Sequence, residues 1–167
     1  MKIHHTQVRY LPEEVRLLFS ILTAVHQELR FLMTRRFVLI ALPLFLKSAE
    51  ITSKAITQPN KIAKQAILEL EKKQLLSKAD FSTPYSQEVK ERPLGDEPLL
   101  LHSINIKPLQ EGGHLLGLHD IKGKGIDMTV DNRLIHMLIK LIQDASTTAN
   151  WLTEQPIESS QPIESFH

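Results

Sequence analysis

The chain has 167 residues, 42% of them hydrophobic and 23% charged, with a net charge of +1. That composition fits an ordinary soluble globular protein long enough to bury one real core. It contains no cysteine, which excludes disulfides, thiol catalysis and cysteine-held zinc. The first ten residues have no secretory apolar region, so the expected location is the cytoplasm.

The small net charge hides a segregation. Residues 1–78 carry +7 and residues 79–167 carry −6. Such asymmetry points to a polyanionic partner for the basic half, or to halves that neutralise each other within the fold or between subunits.

In chain order, residues 1–10 alternate loosely and predict a short edge strand. His4 and His5 would then face opposite ways. Residues 12–46 form the largest apolar block. Pro12 suits a first helical position, and Glu13 and Glu14 would lie against the positive end of the helix dipole. Val15, Leu18, Leu22, Val25, Leu29 and Leu32 recur at spacings of three and four, which predicts a long core helix. Leu17, Phe19, Ile21, Ala24 and Phe31 widen its apolar surface, so it needs cover on more than one side. A dimer seam is the alternative, but the pattern stops at Arg35-Arg36, short of the further heptads a coiled coil shows. Residues 37–46, FVLIALPLFL, are too few to span a bilayer and predict a buried segment bent or restarted at Pro43.

Residues 47–56 continue helically until Pro59 breaks the pattern. A second helix is predicted from about residue 60 to residue 77, with Ile62, Ala63, Ala66, Ile67 and Leu70 on one side and Lys61, Lys64, Gln65 and Lys72 towards the other. Residues 79–98 hold Pro84, Pro93, Pro98 and Gly95 and read as an exposed linker. Beyond them the period changes to two. Leu100, His102, Ile104 and Ile106 share one strand face. Leu116 and Leu118 mark a second strand, and Ile126, Met128 and Val130 a third, with glycine turns between. Asp131 is placed to cap a last helix carrying Leu134, Ile135, Leu138, Leu141, Ile142 and Ala145. Residues 153–167 repeat Gln-Pro-Ile-Glu-Ser and read as a disordered tail.

The predicted fold is therefore α+β. A helical N-terminal half (1–78) and a linker (79–98) precede a three-stranded antiparallel meander and a C-terminal helix (99–152). Together these make one domain, residues 1–152, with a loose tail.

Chemical motifs are scarce. Residues 117–125 depart from a phosphate loop: Gly117 and Gly123 are one residue too far apart, Gly125 replaces the magnesium-holding hydroxyl, and no helix follows. His114 and His119 differ by an odd number, so a regular strand sends them to opposite faces, and with His102 they make no metal set. No nucleophile elbow occurs. The expectation is a protein that is not an enzyme, with no metal and no cofactor.

Residues 51–76 carry one further pattern: a short helix, a break at residues 57–60, and a helix ending Leu70-Glu71-Lys72-Lys73-Gln74-Leu75-Leu76. This resembles the helix-turn-helix of winged-helix regulators, although Gln74 stands where that family has glycine. The resemblance implies that the second helix enters a DNA groove, with Gln58, Asn60, Lys61, Lys64 and Gln65 facing nucleic acid. Two functions are carried forward. The first is a non-enzymatic interaction protein, an adaptor, inhibitor or assembly subunit that binds a protein partner or itself. The second is a small regulator binding DNA or RNA. An exposed apolar patch favours the first, and a basic face centred on Lys61 and Lys64 the second.

Overall fold

The structure is a computed structural model that describes residues 1–51, 59–78 and 88–151. It opens with three strands, β1 (Ile3–Leu11), β2 (Arg16–Thr23) and β3 (Glu28–Met33), and two helices, α1 (Arg35–Ile51) and α2 (Lys61–Ser77). The short β4 (Leu99–Leu100) is followed by β5 (Ser103–Pro108), β6 (His114–His119), β7 (Gly125–Val130) and α3 (Asn132–Thr148). One sheet has the order β1-β2-β3-β4, with β4 parallel to β3 and the other neighbours antiparallel. The second sheet is the antiparallel meander β5-β6-β7.

The expected helical N-terminal half is overturned, because residues 3–33 form an antiparallel sheet. The three-and-four spacing of Val15, Leu18, Leu22, Val25, Leu29 and Leu32 competes with a period-two pattern in the same residues. Leu17, Phe19 and Ile21 pair directly with Met33, Phe31 and Leu29, and all six are buried. The strands use β-branched and aromatic side chains that fit a pleated surface. Val15 and Val25 of the supposed stripe lie in the two hairpin turns and are 56% and 67% exposed. Pro12 begins the first of those turns, where the Glu14 amide donates to the Leu11 carbonyl at 3.2 Å. The second turn contains no glycine. Instead His26 takes a positive φ of 63°, and the Thr23 side chain accepts from the Gln27 amide. Arg35-Arg36, expected to end a helix, begins α1, and the Thr34 hydroxyl caps it by accepting from the Phe37 amide at 3.2 Å. Helix α1 runs on through Pro43 to Ile51, while the rest of the predicted helical stretch, residues 52–56, lies outside the described residues.

The two ends of the chain are built alike. Adding 97 to a residue number places β3 Glu28–Met33 on β7 Gly125–Val130, and α1 Arg35–Ile51 on α3 Asn132–Thr148. The cap residues coincide too, Thr34 with Asp131, whose carboxylate accepts from the Leu134 amide at 2.7 Å. Six buried positions of α1, Val38, Ala41, Leu42, Phe45, Ser48 and Ala49, correspond to the six of α3, Ile135, Leu138, Ile139, Ile142, Ala145 and Ser146. The first strands are displaced by one further residue. Thr6 faces Ile21 in one unit and Ile104 faces Leu118 in the other. The turn before β6 is accordingly one residue shorter than its counterpart before β2, and it closes at Gly112-Gly113, where a Cβ on Gly113 would meet the Val130 carbonyl at 2.7 Å. The fold is thus a strand–strand–strand–helix unit used twice.

The units exchange their helices. Helix α1 packs on α3 and on β5, while α3 packs on α1 and on β1. One apolar cluster draws Leu17, Phe31, Phe45, Leu116, Met128 and Ile142 from both sheets and both helices. Residues 88–101 run along the open edge of β3. Glu28 and Leu101 donate backbone N–H bonds to, respectively, Glu91 and Leu32, each at 2.9 Å. The Arg92 guanidinium donates to the buried Glu28 carboxylate at 2.9 Å and holds that segment down.

Candidate interaction surface

Helix α2 carries the residues predicted to face nucleic acid. Asn60 is its N-cap: the Oδ1 atom accepts from the Ile62 and Ala63 amides at 2.9 and 3.4 Å. Lys64 is half-buried in an ion pair with Glu50 at the end of α1. Lys61 and Gln65 remain exposed, and Gln58 lies outside the described residues. The structure therefore leaves two of these side chains open on one helix and engages two others in capping and pairing. The helix against which α2 packs is α3. There, burial lowers the pKa of His136, with the Lys72 charge acting in the same direction and Glu71 opposing it.

Helix α1 presents a different surface. Its inner side buries Phe37, Val38, Ala41, Leu42, Phe45, Ser48 and Ala49. Its outer side is also largely apolar: Leu39, Ile40, Leu44, Leu46 and Ile51 are 38% to 53% exposed, and Pro43 and Lys47 lie among them. Five half-exposed aliphatic side chains on one side of a helix make a contiguous apolar patch, the kind of surface that marks interaction sites. Pro43 has no N–H, so the Leu39 carbonyl loses its intrahelical donor on this face. Arg35 and Arg36 are exposed at the start of the helix. Its first turn has no acidic residue and its last turn no basic one.

The other unit shows what such a face looks like when it is finished. The counterparts of Leu39, Ile40, Pro43, Leu44, Leu46 and Lys47 on α3 are His136, Met137, Lys140, Leu141, Gln143 and Asp144. These are mixed and largely polar, Lys140 pairs with Asp144 at 3.0 Å, and α2 lies against this helix. No described helix plays the part of α2 for α1. Sequence reading missed this face because it assigned the whole of residues 37–46 to the interior. The legible signal was a helix-length run with no polar side.

Two histidines of the meander lie on opposite faces of β6. His114 is fully buried, and its Nε2–H donates to the Ser48 carbonyl at 3.2 Å. Burial pushes its pKa below the ordinary value, against the smaller opposing effect of that hydrogen bond. His119 faces away from His114 and lies 3.6 Å from Asp127 on the solvent side of the meander. Gly117 lies between them, where a Cβ would meet Asp127 Oδ1 at 2.6 Å. Among the described residues no three His, Asp or Glu side chains converge as a metal set. A cleft of about 670 Å³ opens between the start of β1 and the start of α3, with Lys2, Lys78, Arg133 and Asp131 on its walls.

No family model, no curated protein and no solved structure matches the chain.

Proposed function

We propose that this chain is a non-enzymatic interaction protein, an assembly subunit whose docking face is the outer side of α1, and that this face receives an amphipathic helix. One observation carries the reading: the outer side of α1 is mainly aliphatic, with Lys47 the charged residue amid it, whereas its counterpart α3 has a largely polar outer side and a helix packed against it. Water leaves such a surface unsatisfied, and burying it is favourable at roughly 25 cal/mol per Å². Among the described residues no helix is long and apolar enough to cross a membrane. A cytoplasmic location is part of the same proposal; a chain without cysteine needs no oxidising compartment to fold.

A photo-crosslinking residue at Ile40, compared with one at Lys140, tests the reading. Position 40 should give a polypeptide adduct mapping to a helical segment, and position 140 should give far less. Equal or absent adducts at both positions would dispose of the docking face. The nucleic-acid alternative keeps Lys61 and Gln65 on open surface. It predicts duplex retention that falls with salt and is lost on Lys61→Glu.

A further inference from the structure

We infer that the occupant of the α1 face is a second copy of this chain, bound α1 to α1 with the two helices antiparallel. The inference rests on the docking reading above and adds the identity and orientation of the partner.

Charge is ordered along the helix. The positive end of the α1 dipole carries Arg35 and Arg36, and no acidic residue in the first turn offsets them. The other end carries Glu50, with no basic residue in the last turn. Both arrangements work against the dipole, which favours anions at the start and cations at the end. An antiparallel neighbour reverses this. It brings its own Glu50 and its last-turn carbonyls beside Arg35 and Arg36, and does so twice around a two-fold axis. A parallel neighbour would instead stack four arginines together.

Apolar residues agree with the same axis. The exposed aliphatic positions run from Leu39 to Ile51 and are densest around Pro43. With the axis at Pro43, Ile40 of one protomer meets Leu46 of the other, Leu39 meets the aliphatic stem of Lys47, and Arg36 meets Glu50. A two-fold interface is self-complementary by construction, so one face suffices for both partners. In the monomer Glu50 pairs with Lys64, so the interface shares this carboxylate between Lys64 and the partner arginine.

The chain has no cysteine, so single cysteines report the geometry cleanly. A disulfide requires Cα atoms within about 7 Å. Pro43→Cys should oxidise to a covalent dimer. Arg36→Cys alone should not, because antiparallel copies place its two Cα atoms about 20 Å apart at 1.5 Å rise per residue. Mixing Arg36→Cys chains with Glu50→Cys chains should give the mixed dimer. Self-crosslinking at positions 36, 43 and 50 alike would mean parallel helices and would overturn the antiparallel arrangement.

The full chain should sediment as a dimer. Arg36→Glu and Glu50→Arg should each weaken association at least tenfold, and the two together should restore it. A full chain that sediments as a monomer at high concentration overturns the inference. If position 40 then still crosslinks specifically to another helical protein, the docking reading survives without it. If position 40 crosslinks to nothing, both fail.

Discussion

The first unit, β1 to α1, and the second, β5 to α3, share element order, cap positions and six buried helix positions, yet they finish their outer surfaces differently. In the second unit α3 turns Lys140 and Asp144 outward and is packed by α2. In the first, α1 turns Leu39, Ile40 and Leu44 outward. The backbone plan constrains the inner face of each helix, because both inner faces meet the same core. It leaves the outer face free to vary. Where two copies of one plan share a helix's buried positions but not its outer ones, the outer difference is the better guide to function.

The comparison is broken most severely from within. Phe45 and Ile142 occupy corresponding positions and are 3% and 2% exposed. Phe45→Ala should cost about 3–5 kcal/mol and Ile142→Ala about 2–5, since each removes buried apolar volume and leaves a cavity. The helices are exchanged between units, so both substitutions should lower one common urea midpoint, read alike by far-UV circular dichroism and by Trp151 fluorescence. Two separate transitions, each sensitive to one substitution, would mean that the units fold independently.

A smaller effect tests what only the first unit possesses. Glu28 is buried and paired with Arg92, while its counterpart in the second unit is Gly125, which needs no partner. Arg92→Met removes the 2.9 Å ion pair of a buried carboxylate and keeps the longer one to Arg30 at 3.8 Å. The expected loss is about 2–3 kcal/mol, because removing one partner exposes the desolvation cost of the other. Glu28→Gln in the same background should recover part of it. Hydrogen exchange at the Glu28 amide, which donates to the Glu91 carbonyl, should rise in Arg92→Met and fall back in the double variant.

The sequence spelled out the second unit far better than the first, for local reasons. Gly112, Gly113 and Gly123 punctuate β5 to β7, and Asp131 announces the next helix. In the first unit the turn at residues 24–27 is Ala-Val-His-Gln, with none of the usual turn residues. Without punctuation, Leu18, Leu22, Leu29 and Leu32 match a helical period as well as a strand, and only the tertiary pairing of Leu17, Phe19 and Ile21 decides between them. The duplication was illegible for a different reason. Corresponding residues such as Leu17 and His114, or Ser20 and Gly117, share a position in the fold but no chemistry. At the candidate face the apolar run was visible, but exposure depends on what packs beside it, which a single sequence does not record. On α2, the engagement of Asn60 by the helix start was legible from its place after Pro59. The pairing of Lys64 with Glu50 across two helices was not.

The smallest effect sharpens the comparison at one corresponding pair, Leu17 and His114. Both are fully buried, but only His114 can titrate. Its pKa lies below the ordinary 6.5 in the folded protein because burial disfavours the charged ring. The unfolded chain therefore takes up a proton just below pH 6.5 while the native state does not. The stability tied to a neutral His114 is complete above that value and is lost as pH falls through the native pKa. His136 acts in the same direction, through burial and the nearby Lys72. The melting temperature should consequently drop between pH 7.5 and 5. His114→Leu, which copies the residue at position 17, should make that drop shallower, and adding His136→Gln should flatten it further. It should also remove a buried ring nitrogen, Nδ1, that has no hydrogen-bond partner among the described residues, so the substitution need not destabilise the protein at neutral pH. An acid drop of unchanged size in His114→Leu would show that the buried imidazole does not control it, and that the two units respond to pH alike at this position.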